Sequence, residues 1–154
     1  MTGTKNVYPI SELTKSDLQE AVDLTSLCFG ENRRAAAAYD FSLSFDSYPL
    51  RPKTFVMHKD NQIIGAMQSL SAYIHFNTQS FAWLCVHPDY RKQGLGKALL
   101  AYAEQETITR KFKNKAGTFL LVAAYDPAYY AAAGYKGDLQ THSNEPLMVK
   151  HYKP

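Results

Sequence analysis

Two cysteines, Cys28 and Cys85, are all that the 154 residues contain. So few, in apolar settings, exclude the disulfide framework of a small secreted domain, fit a reducing compartment and read as ordinary buried thiols. Long apolar runs are missing as well. No stretch reaches the roughly 18 residues that cross a bilayer, and the opening "MTGTKNVYPISEL" lacks the apolar centre of a signal peptide. The expectation is a cytoplasmic chain with no membrane partner. Charge of one sign is scarce too: the formal net charge is +3, milder than a bulk nucleic-acid binder carries. The five histidines form no HxxxH pair and the cysteines lie far apart, so no metal site is expected. Repeats, low-complexity tracts and linkers are absent, which makes residues 1–154 a single domain.

The chain does have core material, 45% hydrophobic residues and 13% aromatics, enough for one such domain. "TKSDLQEAVDLTSLCFG" offers Thr14 as a cap with Asp17 three residues on, then Leu18, Ala21, Val22 and Cys28 at helical spacing, and Gly30 as the stop. "ENRRAAAAYDFSLSFDSYPLRP" reads as a second helix running into a loop. "TFVMHKDNQIIGAMQSLSAYIHF" reads as two strands turning at Asp60 and Asn61, and "FAWLCVH" and "GTFLLVAAY" as two more. Between these last two lies a helix with Leu95, Ala98, Leu99 and Tyr102 on one face, the pattern of a crossover joining parallel strands. "EPLMVKHY" closes the chain as a further strand.

The densest signal is "LCVHPDYRKQGLGKALL", a strand ending at His87, a turn at Pro88, Asp89 and Tyr90, then a helix starting near Gln93 to Gly96. The first N–H groups of a helix lack internal partners, and the peptide dipoles leave about half a positive charge there, so such a junction favours anions. Gly94 and Gly96 let a phosphate approach without a Cβ in the way. A hydrogen bond to a charged group is worth ~1.5–3 kcal/mol and an exposed ion pair ~0–1 kcal/mol, so the amides outrank Arg91, Lys92 and Lys97. A dinucleotide GxGxxG fails at Leu99, and a Walker loop fails for want of Ser or Thr after the lysine.

RxxGxG at Arg91, Gly94 and Gly96 after such a strand resembles the acetyl-coenzyme A motif of the GNAT superfamily, the general-control-related N-acetyltransferases. A second element, "LVAAYDPAYYAAAGYKG", is similar to the family's segment in which a tyrosine stands four residues before a Gly-aromatic pair: here Tyr130 precedes Gly134 and Tyr135. The resemblance implies an α/β (α+β) fold, a mixed central sheet of about six or seven strands flanked by about four helices. It implies that backbone groups of Leu84, Cys85 and Val86 align the pantetheine and acetyl group beside a bulge. Amides from Arg91 through Lys92, Gln93, Gly94, Leu95 and Gly96 to Lys97 would cradle the pyrophosphate. Tyr130 would protonate the departing thiolate.

Acetyl transfer needs a neutral amine, donors for the oxyanion and a departing thiol. His87 is the candidate base by titration range, with a turn-shaping role as the alternative, and no glutamate lies on the motif strand. Asp126 before Pro127 suits a helix cap. Cys85, with no adjacent cation, is an inert thiol rather than an acetyl carrier, which favours direct transfer. The run "RKFKNK", Arg110 to Lys115, reads as a solvated helix end, with contact to an adenosine 3′-phosphate or nucleic acid as the alternative. Glu31, Tyr39, Asp40, Phe41, Phe45, Asp46 and Tyr48 form an acidic and aromatic segment suited to an amine, whereas Arg33 and Arg34 in it suit a carboxylate or phosphate. The expectation is an acetyl-CoA-dependent N-acetyltransferase acting on a primary amine of a small molecule or peptide in a ternary complex, monomeric or homodimeric. A non-catalytic acyl-CoA sensor is the alternative.

Overall fold

The computed structural model describes residues 8–122 and 124–154, and of Asp138 only the backbone; the signal-peptide reading of residues 1–7 lies outside the described residues. In chain order the elements are β1 (Ile10–Glu12), α1 (Leu18–Phe29), α2 (Arg34–Ser42), β2 (Lys53–Lys59), β3 (Gln62–Ser71), β4 (Thr78–Val86), α3 (Leu95–Arg110), β5 (Gly117–Leu121), α4 (Pro127–Ala132), β6 (Lys136–Gln140) and β7 (Pro146–Tyr152). The strands form one seven-stranded sheet in the order β1-β2-β3-β4-β5-β7-β6. Every pairing is antiparallel except β4 with β5, which α3 joins as the crossover. This is the mixed sheet with four α-helices that the resemblance implies.

Helices cover both faces, which is why β2 and β3 are buried at successive positions instead of alternating. Val56, Ala66 and Cys85 pack with Ala21, Val22 and Leu24 of α1 and Phe41 of α2. Phe55, Met67 and Phe81 pack with Leu100 and Ala103 of α3 on the opposite side. Asp60 and Asn61 both take positive φ, 48° and 63°, as the tight β2–β3 turn requires.

Several local expectations change. Thr14 begins a 3₁₀ turn that leads into α1, but its hydroxyl meets Ser16 and makes no capping bond to the backbone. In α3 the buried positions are Leu95, Leu99, Leu100, Ala103 and Thr107, while Ala98 faces solvent. β4 starts at Thr78, not Phe81, because polar residues join the sheet there: the buried Gln79 amide donates to Ser69 Oγ at 2.6 Å. The basic run is not simply solvated. Lys111 donates to Thr78 O at 2.5 Å and Phe112 is buried against Phe119. Among the described residues, no helix is long and apolar enough to cross a membrane.

Candidate active site

β4 and β5 pair only from Thr78–Phe81 against Thr118–Leu121. Beyond Leu121 the chain leaves the sheet, while β4 runs on to Val86 with its β5-facing edge free. A bulge sits at this point: Gln68 pairs with Ala82, but Ala66 pairs with Cys85. Trp83 within it has φ 58°, a left-handed conformation that costs a bulky residue ~1–3 kcal/mol. Its surroundings offset that strain. The indole N–H donates to Asp40 Oδ2 at 2.8 Å, and the ring meets Phe29 and Phe41 edge-on at 5.6 and 6.4 Å. The bulge re-aims the strand, and a cavity of about 990 Å3 opens along the free edge.

The cavity reaches the start of α3, where Lys92 and Gly94 have φ 61° and 79°. The first helical bond is Ala98 N–H to Gly94 O at 3.1 Å, and among the described residues no backbone carbonyl accepts from the N–H groups of residues 92–97. Such an array favours an anion. A Cβ at Gly96 would stand 2.9 Å from the Tyr129 hydroxyl, and that hydroxyl is buried without a hydrogen-bond partner among the described residues. Gly96 therefore gives Tyr129 room to place a donor over the array. Arg91 is less free than its charge suggests, since Nε donates to Val86 O at 3.0 Å. Lys92, Gln93 and Lys97 are exposed.

Opposite this array, Asp126 caps α4: its Oδ1 accepts from Tyr129 N–H at 3.1 Å. The cap fixes Tyr129 and Tyr130, whose rings meet edge-on at 5.2 Å. Both line the cavity. Burial, reinforced by Asp126, pushes the Tyr130 hydroxyl up to about 12; burial does the same for Tyr129, helped by Tyr130 and Asp126. Behind them Tyr135 donates to Glu104 Oε1 at 2.8 Å and Lys150 pairs with Oε2 at 2.9 Å, pinning α4 to α3 and β7.

The structure brings together Leu84, Cys85, Val86, Arg91, Lys92, Gly94, Leu95, Gly96, Lys97 and Tyr130 around this one cavity, whereas Gln93 is not among its lining residues. His87 is not among the lining residues. Its Nδ1 accepts from Asp89 N–H at 3.3 Å and its ring meets Tyr90 edge-on, which makes it a turn residue. The acidic and aromatic segment divides. Asp40 is committed to Trp83 and Phe41 to the core; Arg34 pairs with Asp23 and, at 2.5 Å, with Glu31. Arg33 lines the cavity. Sequence reasoning missed Phe29, Tyr125, Tyr129 and Glu145, which also line it. Only Tyr129 carried a sequence signal, in its neighbour Tyr130.

Cys85 is buried, but Cys28 is half-exposed and lines the cavity, so one of the two thiols departs from expectation. Cys28 Sγ donates to Val86 O at 3.5 Å, and Thr25 Oγ1 lies 3.8 Å from Cys85 Sγ. The neighbouring Cys85 thiol, aided by Arg91, lowers the Cys28 pKa, whereas Cys28 and burial raise that of Cys85. Among the described residues, no group of three or more His, Cys, Asp or Glu is arranged to hold a metal ion.

Residues 51–137 match the family model described as an acetyltransferase (GNAT) domain. No curated protein matches the chain in sequence. Solved structures match over nearly its whole length. The ribosomal-protein-S18-alanine N-acetyltransferase from Escherichia coli aligns with TM-score 0.71 at 18% identity, covering 96% of each chain. The PaiA N-acetyltransferase from Thermoplasma acidophilum, solved with coenzyme A, aligns with TM-score 0.73 at 18% identity, covering 95% of this chain and 99% of that one. The YhbS N-acetyltransferase from Escherichia coli, also solved with coenzyme A, gives 0.72 at 16% identity, covering 97% of this chain and 84% of that one. At these identities the likeness concerns the fold; with more than half of the sequence under the family model, the chain belongs to the GNAT acetyltransferase family.

Proposed function

We propose that the chain, as one domain, transfers the acetyl group of acetyl-CoA to a primary amine of a small molecule or peptide by direct attack in a ternary complex. One observation carries the proposal: a single cavity connects an N–H array and a strand edge that are both unpartnered among the described residues with a buried tyrosine. The residues suit coenzyme A. The orphaned Tyr129 hydroxyl and the space at Gly96 lie where a diphosphate needs donors and close approach. In this reading the amides of residues 92–97 hold the pyrophosphate. The free edge at Leu84, Cys85 and Val86 aligns the pantetheine as an added strand and offers an N–H to the carbonyl oxygen as charge develops there.

Tyr130 stands at the thiol end. A thiol has a pKa of about 8.5, so full proton transfer from a tyrosine at about 12 to free thiolate would be uphill by about 5 kcal/mol. Tyr130 therefore acts as a hydrogen-bond donor to sulfur, and the proton moves only as the carbon–sulfur bond breaks. In this reading the amine approaches from the side of Phe29, Trp83 and Tyr125, whose rings cluster on Phe29, and Arg33 and Glu145 are further charges of the lining. Glu145 replaces His87 as our candidate to take the amine proton, through water.

Thioester consumption with a panel of α-amines, polyamines, aminoglycosides and peptide N-termini tests the proposal. Turnover with at least one class is expected. Coenzyme A binding with no turnover on any amine would leave the sensor reading in its place.

A further inference from the structure

The fold brings the only two cysteines of the chain to one wall of the cavity, and acetyl transfer as derived above uses neither thiol. Thr25 and Cys28 lie one turn apart on α1, and both face β4. Thr25 Oγ1 reaches Cys85 Sγ at 3.8 Å, and Cys28 packs against the cluster that contains Cys85. Cys28 Sγ meets the Val86 carbonyl at 3.5 Å, the same oxygen that Arg91 Nε holds at 3.0 Å, so a guanidinium stands beside the half-exposed thiol. A cation next to an accessible sulfur favours thiolate, the nucleophilic form. Cys85 is buried on the same cavity wall, with Thr25, one turn from Cys28, against its sulfur. That is the layout of an attacking and a resolving thiol.

We propose that Cys28 is a modification site for disulfides of coenzyme A, and that Cys85 resolves the adduct. The inference rests on the proposed binding of coenzyme A, which would bring the disulfide sulfur to the free edge beside Cys85. Cys28 thiolate attacks one sulfur of the ligand disulfide. A Cys28–coenzyme A disulfide forms and the other half leaves as thiolate. Cys85 then gives up its proton to the departing thiolate and attacks Cys28 Sγ. The Cys28–Cys85 bond forms, the mixed disulfide breaks and the second coenzyme A leaves as thiol. One disulfide is reduced and one is made, so the electrons balance without another oxidant. A reducing agent reverses the bridge.

Intact-mass spectrometry of wild type, Cys28→Ser and Cys85→Ser with coenzyme A disulfide tests this. Cys85→Ser should accumulate one coenzyme A adduct, whereas wild type should lose two hydrogens and release coenzyme A. Cys28→Ser should stay unlabelled. Acetyl-CoA should slow the labelling, and glutathione disulfide should react at least about tenfold more slowly, because only a ligand held in the cavity gains in effective concentration. An unlabelled Cys85→Ser, a labelled Cys28→Ser, a wild type that stops at the adduct, or equal rates with both disulfides would overturn the inference. Cys28→Ala, checked by thermal melting, guards against a folding defect in the serine variant. Calorimetric titration of Cys28→Ser with coenzyme A separates the two layers. Binding without labelling of Cys85→Ser sinks this inference alone; absence of binding sinks the functional proposal beneath it.

Discussion

Replacing Gly96 by valine tests how the phosphate cradle works. Its Cβ would stand 2.9 Å from the Tyr129 hydroxyl and 3.7 Å from Val86 Cγ2, so Tyr129 must move and the two γ-methyls fill the approach to the amides. Losing two hydrogen bonds to a charged diphosphate costs ~3–6 kcal/mol, roughly a hundredfold to ten-thousandfold in Kd. Arg91→Ala removes an exposed cation already spent on Val86 O, with an expected cost of ~0–1 kcal/mol, or up to about fivefold. Isothermal calorimetry with coenzyme A reads both variants, and thermal melting confirms that each remains folded. Equal losses, or a greater loss from Arg91→Ala, would refute the ranking of backbone over side chain.

Three further outcomes follow from the geometry. Asp126→Ala removes the α4 cap and should cost ~0.5–2 kcal/mol by chemical denaturation, with a parallel loss of turnover because Tyr129 and Tyr130 lose their anchor. Asp40→Ala leaves the Trp83 indole unpaired and should destabilise by ~1–3 kcal/mol; an unchanged denaturation midpoint would mean that the bulge does not rely on that bond. For pH, Tyr130 remains protonated until about 12, so kcat/KM should rise as the acceptor amine loses its proton and should show no alkaline fall below pH 10. The same raised values for Tyr129 and Tyr130 mean that the unfolded chain ionises first, so stability is retained below about pH 10 and lost between 10 and 12.

The order of elements from α1 to β5 was legible because the apolar runs are punctuated by Asp60–Asn61, Pro88 and the glycines of the α3 junction, whereas the short β1 and β6 carry no such marks. The free amides at the α3 start, which we propose as a phosphate cradle, were marked in the sequence by Gly94 and Gly96 after the motif strand. Less legible was anything that depends on long-range partners. The left-handed Trp83 cannot be read from "FAWLCVH", since its conformation is held by Asp40 and Phe29 from distant helices. His87 ends the motif strand where a base is wanted, but Asp89 and Tyr90 draw its ring to the turn. Cys28 fits a buried helix face by periodicity, and only the divergence of β4 and β5 exposes it. Phe29, Tyr125 and Glu145 come from three separate loops or element ends, so no local spacing marks them as neighbours.

The central claim, that an acetyl group passes to an amine beside Tyr130, is tested most directly by Tyr130→Phe under saturating amine and acetyl-CoA. Loss of a proton donor at sulfur predicts a kcat reduced by ~10²–10⁴, with coenzyme A affinity by calorimetry unchanged. A kcat equal to wild type would contradict the role assigned to Tyr130, and a loss confined to coenzyme A affinity would make it a wall of the cavity rather than a participant.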